Sequence, residues 1–340
     1  MTAVMIFMIF IRVATPSWKS AAPQFAAVVF LALFIGPIID WIVSGAKGFR
    51  MLYLFESPKD LLMSFFSFTN AGLNSGATIG LQIELGLLIV CSGLFVYFVG
   101  RSWKRAVISA LVLYVIIFVL SALPSFISFI GGGSDTAQNY FGQPLFFIQK
   151  TIENSATISN NLHSSLQYSS VTRAFEVAFN FLMGKILFLI LATLTIVWFR
   201  LNLKEKFNAM MGNFRSGRAI HFISMIFLGL FIAHLVFPIV NFNWNDWLSV
   251  IVLCLSVYFS GMFAICVNDI VDEDIDKISN TGRPLITKTL SREDMKQAGA
   301  IFLTASLLSA FLAGYTAFFF VLAFTALYYI YSAPATRFKL

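Results

Sequence analysis

The stretch "WLSVIVLCLSVYFSGMFAICVNDIVDEDID", residues 247–276, decides the fold class, because a long apolar run leads directly into a cluster of acids. A helix of about 20 apolar residues crosses a hydrocarbon core about 30 Å thick. The whole chain is 59% hydrophobic and 11% charged, whereas soluble domains carry about 25% charged residues. The sequence therefore predicts an all-α fold, a multi-pass transmembrane helix bundle.

Apolar runs of spanning length recur along the chain and predict about eight spanning helices. They lie at 24–43, 81–99, 106–130, 177–199, 219–240, 247–268, 298–313 and 315–332. The last two form a predicted hairpin that is broken at Gly314. A basic loop at 200–218 predicts a boundary between an N-terminal membrane region of unknown role, residues 1–205, and a second region, residues 206–340.

The basic residues indicate orientation in a membrane and give no sign of nucleic-acid binding. The chain has 23 Lys and Arg against 16 Asp and Glu, and many of the basic residues lie in short loops at the ends of apolar runs. Such loops tend to stay cytoplasmic. We therefore predict an integral membrane protein whose loops 101–105 and 200–218 and Asp-rich loop 269–297 are cytoplasmic.

The acid cluster is the candidate functional site. If the helix continued beyond residue 268 at 100° per residue, four side chains would share one face, while Asp274 would point away and Glu273 would flank that face. Carboxylates that share a face repel each other unless a cation lies between them. Mg²⁺ prefers such oxygen ligands and is commonly held by one or two carboxylates plus substrate phosphates. The predicted metal ligands are Asn268, Asp269, Asp272 and Asp276.

The following loop offers positive charge for a diphosphate. Lys277 and Arg283 come soon after the acids, and ammonium and guanidinium groups bind phosphate oxygens strongly. These residues complete a hypothesis in which a divalent cation and two basic side chains hold one diphosphate group.

Three other interpretations of the acids compete with a cation site. Asp272, Asp274 and Asp276 have the D-x-D-x-D spacing of an EF-hand, but Lys277 stands where that loop needs Gly and Arg283 where it needs Glu. A solvated acidic loop is the common explanation of a charge run. A proton-relay transporter usually carries its carboxylates within the spans, whereas these lie at the end of one.

The motif reads Asn268-Asp269-x-x-Asp272-x-x-x-Asp276, then Arg283-Pro284-Leu285, and later Tyr331-Ser332-x-Pro334. Over about residues 210–340, this pattern resembles that of the intramembrane UbiA-type aromatic prenyltransferases. The resemblance implies that residues 206–340 are the N-terminal half of a UbiA-like bundle in which Mg²⁺ binds a polyprenyl diphosphate and the prenyl group passes to an acceptor. It implies catalytic roles for Asp269, Asp272 and Asp276, and substrate contacts from Asn268, Lys277, Arg283, Tyr331, Arg337 and Lys339.

The acceptor is unknown, with an aromatic compound as one option, and membrane lipid is an expected partner. Family members also carry a second aspartate-rich motif several helices later, and no further DxxxD occurs here. We therefore expect the 340-residue chain alone to transfer little prenyl, and a second polypeptide to supply the other half. A fragment, a split gene product and a divergent protein all fit this expectation. The alternative is a non-catalytic membrane protein that binds isoprenoid diphosphates or a partner.

Overall fold

The computed structural model describes residues 2–14, 29, 34–45, 55, 58–67, 78–131, 168–213, 216–236 and 242–332. Helices make up almost all of these residues, and no β-strand occurs among them. The all-α prediction is confirmed. The chain divides into two compact units, Met1–Lys150 and Thr151–Leu340.

Six helices lie among the described residues of the first unit. They are α1 (Thr2–Ala14), α2 (Ile35–Val43), α3 (Pro58–Phe66), α4 (Ile79–Gly100), α5 (Trp103–Ser121) and α6 (Leu123–Gly131). Helix α4 packs against α2 and α5.

In the second unit, the described ranges contain seven helices. They are α7 (Tyr168–Asn202), α8 (Lys204–Gly212), α9 (Ser216–Val236), α10 (Trp244–Val271), α11 (Glu273–Ser279), α12 (Arg292–Ala313) and α13 (Tyr315–Ser332). Helix α10 packs along α12 and also contacts α7, α9 and α13. The predicted hairpin at 298–332 is confirmed, with Gly314 separating α12 from α13 at a φ of 147°.

Within the described ranges, six helices are long and apolar enough to cross a membrane: α4, α5, α10, α12, α13 and the part of α7 from Val177 to Asn202. The predicted count of about eight is not confirmed. The run at 219–240 forms a shorter apolar helix, Ile220–Val236. Of the run at 24–43, residue 29 and residues 34–43 are described, with a helix over Ile35–Val43.

The predicted span at 106–130 is wrong in its extent, because the helix is interrupted near Pro124. Helix α5 ends at Ser121 and α6 begins at Leu123. Proline has no N–H for a helical hydrogen bond, and it also disfavours helical geometry in the residue before it. One apolar run therefore forms two helices.

Close helix packing in the first unit depends on two glycines. A Cβ on Gly80 would lie 2.2 Å from the carbonyl oxygen of Gly36, so α2 and α4 meet at their backbones. Asp40 stabilises this crossing by accepting hydrogen bonds from the Gly80 N–H at 2.8 Å and from the Thr78 hydroxyl.

Small polar residues hold the second unit together. The Ser256 hydroxyl donates to the Ser306 carbonyl at 2.8 Å, and the Ser306 hydroxyl donates to the Ser256 carbonyl at 2.9 Å. Ser260 shares a 2.9 Å hydrogen bond with Thr325 on α13. Small side chains let spanning helices approach closely, which is how helices associate in lipid.

A buried lysine joins α7 to the start of α10. The Lys185 Nζ donates to Asn245 Oδ1 at 2.8 Å and to Ser249 Oγ at 2.7 Å. A capping box of Asn243 and Asp246 begins α10 at the same place. Since an ammonium group in an apolar span needs polar partners, this contact fixes the end of α10 that lies opposite the acid cluster.

Candidate functional site

Helix α10 does not continue through the acid cluster as the one-face prediction assumed. It ends at Val271, Asp272 forms the junction with a φ of −92° and a ψ of 13°, and α11 begins at Glu273. Aspartate is a poor helix former, and adjacent like charges destabilise a helix further. The acids are therefore distributed over two helices that meet at Asp272.

Asp269 lies in the last turn of α10 and is 2% exposed. Its Oδ1 accepts a hydrogen bond from Arg283 Nη1 at 2.6 Å, and its Oδ2 accepts one from Asn213 Nδ2 at 2.5 Å. Arg283 Nη1 also donates to Asn213 Oδ1 at 3.3 Å. The side chains of Asp269, Asn213 and Arg283 thus form a closed ring of hydrogen bonds, and the buried carboxylate is one member of it.

Asp276 lies on α11 and is 4% exposed. Its Oδ1 accepts from Asn280 Nδ2 at 2.7 Å, and Arg283 Nε lies 3.9 Å from its Oδ2. Among the described residues, Oδ2 is buried without a hydrogen-bond partner. Arg283 therefore lies between two buried carboxylates.

The backbone of the following loop fixes Arg283. Its N–H donates to the Asn280 carbonyl at 3.1 Å, and its carbonyl accepts from the Thr287 N–H at 2.9 Å. Leu285 and Leu290 insert into an apolar cluster with Met262, Cys266 and Met295. The Arg-Pro-Leu sequence therefore anchors the loop and aims its guanidinium at the acids.

The outer acids pair with exposed basic residues. Lys277 Nζ donates to Asp274 Oδ1 at 2.8 Å and lies 3.9 Å from Glu273. The hydrogen bond to Asp274 raises the pKa of Lys277, so the ammonium stays charged at neutral pH. Arg292 lies 3.7 Å from Glu273. In this structure Lys277 faces the solvated acids.

The remaining predicted residues are spread more widely. Asn268 is partly buried in the last turn of α10, and Asp272 is partly buried at the junction. Tyr331 is 84% exposed near the end of α13. Arg337 and Lys339 lie outside the described residues.

Two site residues, Asn213 and Asn280, were missed from the sequence. Asn280 begins a turn four residues after Asp276, and an Asn next to Thr-Gly is a turn signal that could have indicated it. Asn213 lies 56 residues before Asp269, and no spacing rule connects them.

The buried pair of carboxylates fits a bound cation in part. The Oδ2 of Asp276, which is buried without a hydrogen-bond partner among the described residues, favours one. Asp269 already has a hydrogen bond on each oxygen. Within the described ranges, no group of three or more His, Cys, Asp or Glu side chains is placed to hold a metal ion. A divalent cation would therefore use one or two carboxylates here, with further oxygens from a substrate or water.

Searches among curated proteins and among solved structures find no match. A comparison with protein families does find one, over 222–340. That segment contains Asp269, Asp276 and Arg283, and the resemblance inferred from the motif is confirmed. The C-terminal part of this chain, residues 222–340, thus matches the UbiA prenyltransferase family.

Proposed function

We propose that the chain is a membrane prenyltransferase-type protein whose residues 268–283 bind the diphosphate of a polyprenyl substrate with Mg²⁺. The observation that carries the proposal is Arg283 between Asp269 and Asp276, all three largely buried at the end of an apolar helix of spanning length. A buried carboxylate oxygen without a hydrogen-bond partner among the described residues, such as Oδ2 of Asp276, suits a cation, and a fixed guanidinium suits phosphate oxygens. The family match over 222–340 supports the reaction class.

Asp269 and Asp276 would hold Mg²⁺, with Asp272 and Asn268 close by in the chain. Bound there, Mg²⁺ would neutralise charge on the departing diphosphate. Arg283 would donate to other diphosphate oxygens and stabilise the charge that develops as the C–O bond breaks. The diphosphate leaves with the bonding electrons, and the acceptor bonds to the allylic carbon and loses a proton.

A non-catalytic diphosphate-binding protein is the second candidate. It is favoured by the sequence, in which no further DxxxD motif occurs. Transfer would then need the second aspartate-rich motif on another polypeptide or elsewhere in a longer chain. Both candidates share the binding step, so binding is the property to test first.

Three Asp→Asn variants test the site. We expect Asp276→Asn and Asp272→Asn to weaken Mg²⁺-dependent binding of farnesyl diphosphate at least 10-fold. Mutating residues that only hydrogen-bond to the ligands of a metal already lowers metal affinity or activity by that much. Asp274→Asn is the matched control, because its side chain is 94% exposed and pairs with Lys277. Equilibrium binding of the labelled diphosphate to purified protein gives the affinities. Equal losses in all three variants would contradict the proposal.

A further inference from the structure

One side chain of the diphosphate site lies outside the segment that matches the family. Asn213 directly follows α8 and precedes residue 222, where the match begins. We propose that Asn213 is a positioning residue for the diphosphate site and that α8 is part of this site. The inference rests on the proposed function.

The Asn213 amide contacts both charged partners at once. It donates to Asp269 Oδ2 at 2.5 Å and accepts from Arg283 at 3.3 Å. An amide is suited to this because it carries a donor and an acceptor on one planar group. Asn213 therefore sets the rotation of the Asp269 carboxylate and the direction of the Arg283 guanidinium relative to each other.

Helix α8 is held against the site by two further contacts. Met210 is 9% exposed and packs into the apolar cluster with Met262, Cys266 and Leu285. Lys206 Nζ lies 2.7 Å from Asp294 Oδ1 at the start of α12. The exposed ion pair adds little stability, but Met210 is buried beside the loop that carries Arg283. The position of Asn213 is thus fixed by its own helix.

The backbone of Asn213 is fixed as well. Its N–H donates to the carbonyls of Ala209 and Met210 at 3.1 and 3.2 Å, which closes the last turn of α8. The side chain is therefore presented from an ordered helix end. Asn208 lies on the same helix with an exposed side chain, and it offers a matched amide for comparison.

The test measures binding of inorganic diphosphate to the purified 340-residue chain in the presence of Mg²⁺. We expect Asn213→Ala to weaken binding at least 10-fold, the size of effect typical of residues that orient ligands, and Asn208→Ala to bind like wild type. In an Arg283→Gln background Asn213→Ala should cause little further loss, because residues of one hydrogen-bond network are not additive.

Asn213→Ser, which keeps a donor and an acceptor, should recover part of the affinity. If Asn213→Ala does not fold, the comparison is made between Asn213→Ser and Asn208→Ala. Weaker diphosphate binding by Asn213→Ser supports the proposal, and equal affinities of the two variants overturn it. Wild-type affinity in Asn213→Ala, or fully additive losses with Arg283→Gln, would also overturn it. If wild type itself does not bind diphosphate, the proposed function fails instead.

Discussion

At the scale of single residues, Arg283 lies where a cation between Asp269 and Asp276 would lie. Replacing it with Gln removes a positive charge that competes with the metal and also removes a donor to phosphate. We expect the Arg283→Gln variant to bind Mn²⁺ alone at least several-fold more tightly. We expect it to bind inorganic diphosphate with Mg²⁺ at least 10-fold more weakly. Both effects are large because two unit charges about 4 Å apart interact by up to about 4 kcal/mol near a protein surface.

Electron paramagnetic resonance of Mn²⁺ reports the first affinity, and equilibrium dialysis of labelled diphosphate reports the second. Lys277→Gln is the control, because that ammonium is exposed and pairs with Asp274. A fall in both affinities for Arg283→Gln would show that the arginine does not compete with the cation.

Individual site residues were predictable where they follow one another in sequence. Asp269, Asp276 and Arg283 lie within 15 residues, and their residue types alone indicate a cation and an anion. The assumption of one continuous helix was wrong, because one helix ends at Val271 and the next begins at Glu273. Asn213 could not be predicted, since its position depends on how α8 packs against α10 and the loop that follows.

At the scale of elements, the reciprocal hydrogen bonds between Ser256 and Ser306 determine how closely α10 and α12 pack. Ser306→Ala removes one bond and should lower the free energy of unfolding by about 0.6 kcal/mol, an average for spanning helices. Ser306→Leu also forces a larger side chain into a filled interface and should cost about 1–3 kcal/mol.

Unfolding in detergent, followed by circular dichroism, measures both values. Thr304→Leu is the control, because Thr304 is exposed and its hydroxyl bonds only within α12. A change in the free energy of unfolding as large for Thr304→Leu as for Ser306→Leu would show that packing between α10 and α12 is not the cause.

The elements themselves followed from composition, because apolar length is enough to predict a spanning helix. Their ends did not. Hydropathy averages over about a turn or more of helix, whereas the break before Pro124 depends on one missing N–H. The partners of each helix were also beyond prediction, since small residues such as Ser256 and Gly299 are common in apolar runs and only the fold shows which of them meet.

At the scale of the whole molecule, the predicted topology places the loop at 269–297 in the cytoplasm. A Cys introduced at Ser279, an exposed position on α11, should react with a membrane-impermeant maleimide only after the cytoplasmic side is opened. A Cys at Phe242, at the opposite end of α10, should react from outside in intact cells.

The labelling is done with Cys91, Cys254 and Cys266 replaced by Ala, and the Asp-site variants serve as folding references. If Ser279→Cys reacts from outside and Phe242→Cys from inside, the orientation is inverted. The charge argument would then fail for this chain, and the diphosphate would have to be supplied from the other side.

The lysine contact between α7 and α10 also has a consequence for biogenesis. Lys185 is synthesised 60 residues before Asn245, the acceptor of its ammonium. Through that interval the Lys185 ammonium lacks its partners on α10, and a charged lysine costs at most about 2.5–3.5 kcal/mol within an inserted helix. We therefore expect α7 to be more stable in lipid once α10 has been inserted and its polar groups can bind the Lys185 ammonium.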